Sequence, residues 1–86
     1  MFRPSPDVIV NEFDGETVLL NLKTEEYYSL EKAAAKMYDL LVRYGDPQRV
    51  LPILQQEYDA EAEVLQRDLE SLISDLVREG ILLAGD

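Results

Sequence analysis

The hydrophobic positions of this chain change period near its middle. Up to about residue 30 they alternate, and beyond residue 32 they recur every three or four residues. The runs "DVIVNEF" (7–13) and "TVLLNL" (17–22) flank Asp14 and Gly15, a dipeptide that supplies the positive φ angles of a tight hairpin turn. In the second run Val18, Leu20 and Leu22 share one face, and Thr17, Leu19 and Asn21 the other. "KTE" turns the chain again. "EYYSL" (26–30) then makes a third strand with Tyr28 and Leu30 on one face. The pattern predicts a three-stranded antiparallel meander with one face apolar enough for helices to cover.

The second half predicts three helices. "LEKAAAKMYDLLVRYG" sets Ala33 or Ala34, Met37, Tyr38, Leu40 and Leu41 at helical spacing, and Gly45 ends it. "DPQRVLPILQQEYD" begins with Asp46 as N-cap and Pro47 at the first helical position. Val50, Leu51, Ile53, Leu54 and Tyr58 form its apolar side. Pro52 falls at about the sixth helical position, where it costs a hydrogen bond, so this helix is expected to be kinked or short. The last helix, about 60–79, carries the stripe Leu65, Leu69, Leu72 and Leu76, flanked by Val64 and Ile73, and Gly80 closes it before "ILLA". The order βββααα gives an α+β fold, a winged helix-turn-helix-like domain spanning residues 1–86 as a single unit.

Charge narrows what such a domain can do. Eighteen acids against eight bases leave a formal net charge of −10 over 86 residues. A phosphate backbone would be repelled on average, and so would an anionic membrane. The last helix, the one that would read a major groove, carries six acids and only Arg67 and Arg78 as bases. Nucleic acid and membrane are therefore not expected partners. An acidic winged-helix regulator or a DNA-mimicking antagonist is the alternative reading of the same fold and charge. No apolar run reaches the about 18 residues of a membrane span, and "MFRPSPD" has no signal-peptide core, so a cytoplasmic domain is expected.

Catalysis is not expected either. With no cysteine and no histidine, thiolate metal sites, Cys nucleophiles and the common triads cannot be built. The acid pairs Glu25/Glu26 and Glu61/Glu63 read as solvated surface. "EYDAEAEV" (57–64) only faintly echoes a calcium loop and lacks its glycine. No cofactor is implied.

What remains is a surface that does not depend on charge. Tyr27 and Tyr28 are adjacent, so in a strand they must face opposite ways. The third strand lies at a sheet edge, where Glu25, Glu26 and Glu31 flank an unprotected "YYS". Beside a long helix, such an edge makes a groove in which an extended peptide can be added as another strand. The other reading of Tyr27 is a ring lying on the outer sheet face beside Leu19 and Ile9.

The stretch "G…VLLNLKTEEYYSLEKAAAKMYDLL", from Gly15 to Leu41, resembles the PqqD-like proteins, or RiPP recognition elements. Their pattern is a Gly turn, a "vLLdl" strand, a "Gryy.LN" strand and a helix reading "vG..iw.lL". "RDLESLISDLVREGIL" (67–82) is similar to their "D(v/l)..fl..L...GLl". Glu31 stands where Asn is usual, Ala34 where Gly is, and Tyr38 where Trp is. The resemblance implies a non-catalytic protein that binds the leader segment of a ribosomally made precursor peptide. It is most like the discrete recognition proteins of lasso peptide biosynthesis, which work with a transglutaminase-like leader peptidase and an ATP-dependent macrolactam synthetase. It further implies a leader paired with the third strand, Glu26, Tyr27, Tyr28, Ser29 and Leu30, and lying against the last helix. From that helix Val64, Arg67, Asp68, Ser71, Leu72 and Asp75 are the expected groove residues. Val64 would line an apolar pocket, and Asp68 would accept hydrogen bonds or pair with a basic leader residue. The alternative for Asp68 is a surface ion pair with Arg67. A fragment of a larger modifying enzyme is the remaining possibility, but the start at Met1 and the short tail after Gly80 favour the expectation of a small self-standing protein.

Overall fold

The computed structural model describes residues 1–85. In chain order its elements are β1 (Phe2–Pro4), β2 (Val8–Phe13), β3 (Glu16–Asn21), β4 (Glu26–Glu31), α1 (Lys32–Tyr44), α2 (Pro47–Glu57), α3 (Ala62–Arg78) and β5 (Leu82–Ala84). The three expected strands are β2, β3 and β4, paired antiparallel in the order β2-β3-β4. Asp14 (φ 52°) and Gly15 (φ 78°) make the two-residue turn that the dipeptide announces. The second turn ends at Glu25, a non-glycine residue held at φ 63°.

Two strands were not foreseen. β1 and β5 pair antiparallel as a separate two-stranded sheet, with Arg3 opposite Leu83. Each is three residues long, too short for a period to show in sequence. They join the two ends of the chain, and the buried Leu82 places this clip against the core.

The faces of β3 are the reverse of what a simple apolar alternation suggests. Leu19 is fully buried, and with it Thr17 and Asn21, while Leu22 is 53% exposed. The register explains the choice: Leu19 lies opposite Tyr28 and Thr17 opposite Leu30, so these five face the helices together. Val18 and Leu20 look outward. Leucines stand on both sides of β3, so its period alone could not select the buried one. Asn21 is tolerated inside because both of its side-chain polar atoms have hydrogen-bond partners. Its amide donates to the Glu79 carbonyl at 3.1 Å, and its Oδ1 accepts from the Lys23 N–H at 2.9 Å. The turn and the end of α3 are thereby tied together.

The helices cover this inner face. α2 starts where expected, with Asp46 Oδ1 accepting from the Gln48 N–H at 2.9 Å. It is the shortest helix, 11 residues, yet it runs unbroken through Pro52. Pro52 is exposed, so water can take up the carbonyl one turn earlier that loses its amide partner. Glu31 does precede α1 but makes no side-chain cap, and the helix opens on Lys32 at φ 53°. Gly45 closes α1 in the left-handed conformation, its N–H donating to the Leu41 carbonyl. Leu41, Val50, Leu54 and Leu76 meet in the centre of the core with no exposed surface.

Candidate functional site

Hydrogen-bond direction along the sheet fixes which main-chain groups remain open. In an antiparallel ladder, residues that bond across one side alternate with residues that face the other. The Leu22 N–H donates to the Asp7 carbonyl at 2.9 Å, so Leu22, Leu20 and Val18 turn toward β2. Thr17, Leu19 and Asn21 therefore turn toward β4, and the Glu25 N–H donating to the Asn21 carbonyl at 2.8 Å agrees. On β4, Tyr28 and Leu30 spend their main-chain groups on β3. Tyr27 and Ser29 aim theirs at the open side. β4 is thus a sheet edge with two residues ready to bond another strand.

Side chains divide the same way. Tyr27 is 74% exposed on the outer face, in line with Leu20 and Ile9. Its neighbour there is Leu20, not Leu19, because of the reversed faces of β3. Ser29 is also exposed on the outer face, in line with Val18, and Glu26 is exposed at the strand's start. Tyr28 is half-buried on the inner face, and Leu30 belongs to the core.

On the inner side of this edge a cleft of about 300 Å³ opens between α1 and α3. α3 contributes Asp68, Ser71, Leu72 and Asp75, and α1 contributes Ala33, Ala34 and Met37. The helical repeat explains the α3 set: positions 68, 71, 72 and 75 fall within one stripe at i, i+3, i+4 and i+7. Four of the expected groove residues are therefore brought together. Val64 and Arg67 are exposed on α3 but are not among the residues lining this cleft. The alanines and Met37 were not foreseen as groove residues, although they were read as part of a helical stripe. Their signal was the small side chains of Ala33 and Ala34, which leave room beside a helix of leucines.

The cleft is acidic at both ends. Asp68 has no Lys or Arg within 4.0 Å among the described residues. The ion pair with Arg67 does not form, as consecutive helix residues point apart. Asp75 is engaged: its Oδ1 accepts from Arg78 at 2.8 Å, and its Oδ2 lies 3.5 Å from the Tyr28 hydroxyl. Burial, and then the Asp75 charge, push the Tyr28 hydroxyl above the ordinary tyrosine range. This contact links β4 to α3 and sets their separation at one end of the cleft. Among the described residues no group of three or more acids could hold a metal ion, and no helix is long and apolar enough to cross a membrane.

Comparison with known proteins places this geometry. The family model described as coenzyme PQQ synthesis protein D (PqqD) matches residues 16–82. Among curated proteins none matches. Two solved structures share the fold over nearly the whole length. One, TbiB1 in complex with the TbiA(beta) leader peptide, is 25% identical with a TM-score of 0.90, covering 98% of each chain. The other, a lasso peptide synthetase B1 complexed with the leader peptide, is 31% identical with a TM-score of 0.87, covering 96% of this chain and 98% of that one.

Proposed function

The chain belongs to the PqqD family, and from that premise we propose that it binds the leader segment of a ribosomally made precursor peptide as a strand added to β4. The observation that carries the reading is the open edge at Tyr27 and Ser29 beside the cleft between α1 and α3. Two structural relatives of the same fold were solved with leader peptides bound. The protein acts by binding, without chemistry of its own and without cofactor or metal. In the cytoplasm it holds the leader so that a transglutaminase-like leader peptidase and an ATP-dependent macrolactam synthetase can reach the rest of the precursor in lasso peptide biosynthesis.

The register constrains how the leader lies. Cross-strand partners share a face. Leader residues opposite Tyr28 and Leu30 point inward, toward Leu72, Ala33 and Ala34. Those opposite Tyr27 and Ser29 point outward beside the Tyr27 ring. Ordering a disordered leader costs roughly 2–5 kcal/mol. Main-chain bonds worth about 0.5–1.5 kcal/mol each, plus apolar anchors in the cleft, offset it. Pairing of this kind depends little on charge, so leader affinity falls only modestly between low and moderate salt.

The reading is tested by titrating isotope-labelled protein with the leader peptide. Amides of residues 26–30 and 68–75 shift, and Tyr27→Ala or Ser71→Asp weakens binding while the helical circular dichroism is retained. Shifts confined to α2 would count against the proposal.

A further inference from the structure

The sheet has a second open edge, at β2. The bonding alternation that aims Leu22, Leu20 and Val18 at β2 pairs them with Asp7, Ile9 and Asn11. The main-chain groups of Val8, Val10 and Glu12 therefore face away from β3. Val8 is partly occupied, since its N–H donates to the Ser5 carbonyl at 3.2 Å. Val10 and Glu12 have no such partner among the described residues. The strand "VIVNEF" carries one charge in six residues and no proline, so it has little of the protection that edge strands normally show.

A cleft of about 290 Å³ lies beside this edge, between the inner side of β2 and α1. Val8, Val10, Ala35, Tyr38 and Val42 line it, with Pro4 and Pro6 at one end and Glu12 and Asp39 among its acids. Val10 is 46% and Val42 41% exposed, so the cleft walls carry accessible apolar surface. Tyr38 is 4% exposed, and its hydroxyl is buried with no hydrogen-bond partner among the described residues. A buried orphan hydroxyl in the wall of an open cleft is unusual, because such groups are nearly always satisfied.

We propose that the β2 edge is a second strand-addition site, taking an extended segment of a basic partner polypeptide. The free groups of Val10 and Glu12 supply the backbone bonds. A small apolar side chain opposite Val10 points into the cleft, against Ala35, Val42 and Tyr38. A lysine or arginine sits opposite Glu12, which has no cation within 4.0 Å among the described residues. A second copy of this chain fits less well, since each carries a net charge of −10. The site is on the opposite edge of the sheet from β4 and does not rest on the leader reading.

The test uses an acetylated Lys-Thr-Val-Thr-Val-Thr peptide, which places lysine and both valines on one face of a strand. Titrated at about millimolar concentration, it is expected to shift the amides of Val10, Glu12 and Tyr38 and leave Tyr27 and Ser29 unmoved. The same peptide with glutamate for lysine binds at least fivefold more weakly. Glu12→Lys reverses that preference and touches nothing in the core, and Val10→Pro removes the edge N–H and lowers affinity at least fivefold. Shifts at Tyr27 and Ser29 alone, or none at Val10 and Glu12, overturn the proposal. So does sedimentation showing a wild-type dimer that Val10→Pro dissolves, which would give the edge to a second copy.

Discussion

Ser29→Pro separates the fold from the proposed binding mode. The Ser29 N–H faces the open side of β4, so replacing it costs the β3–β4 ladder nothing. Proline is accepted on edge strands where its nitrogen faces outward, and the preceding Tyr28 is already extended. Its effect on stability should stay within about 1 kcal/mol, as the ring also restricts the unfolded chain. Binding is different. One main-chain hydrogen bond to the leader is lost, about 0.5–1.5 kcal/mol, and a leader carbonyl is left without a partner, about 1–3 kcal/mol more. Together these reach roughly 2–4 kcal/mol, a loss of about 30- to 1,000-fold in affinity. Fluorescence anisotropy with a labelled leader peptide reads the affinity, and thermal melting followed by circular dichroism reads the fold. Tyr28→Pro is the companion: it removes a bond to Leu19 and an inward ring, and should unfold the sheet. A folded Ser29→Pro protein that keeps leader affinity within twofold would refute the edge-pairing reasoning.

Other consequences concern stability. Glu25→Gly relieves a left-handed residue at φ 63° and should raise stability by about 1 kcal/mol in urea unfolding. Tyr38→Phe removes a buried hydroxyl without a partner and should leave stability unchanged or raise it by about 1 kcal/mol. Leu54→Ala, at a fully buried position, should cost about 2–5 kcal/mol, enough to leave much of so small a domain unfolded. Burial holds the Tyr38 hydroxyl above its ordinary value of 10.0. Its contribution is therefore fully present below pH 10 and lost as pH rises beyond that, which alkaline unfolding of wild type against Tyr38→Phe would show as a shallower loss in the variant.

Much of this was legible before any coordinates. Asp14-Gly15, Asp46-Pro47 and Gly45 each force a local geometry, and the structure has a turn, a helix start and a helix end there. Alternation puts Tyr28 and Leu30 on one face, and that face is the inner one. β3 was harder, because Leu19 and Leu20 compete for one buried side and only the pairing with β4 decides. β1 and β5 gave no signal, being defined by contact between chain ends far apart in sequence. The cleft was half legible. Spacing along α3 groups Val64, Arg67, Asp68, Ser71 and Asp75 beside a core stripe that includes Leu72. The cleft takes Asp68, Ser71, Asp75 and Leu72 and leaves out Val64 and Arg67, and its other wall depends on how α1 packs. Pro52 does fall in the shortest helix, 11 residues, which nevertheless continues past it because an exposed proline costs a bond that water can replace.

The central claim is that β4 accepts the leader through its own backbone. Amide hydrogen exchange, followed residue by residue with and without leader peptide, tests it most directly. The account predicts that the Tyr27 and Ser29 amides, open in the free protein, become protected on binding, while Tyr28 and Leu30, already bonded to β3, change far less. Leader binding that leaves the Tyr27 and Ser29 amides exchanging as fast as before would contradict it.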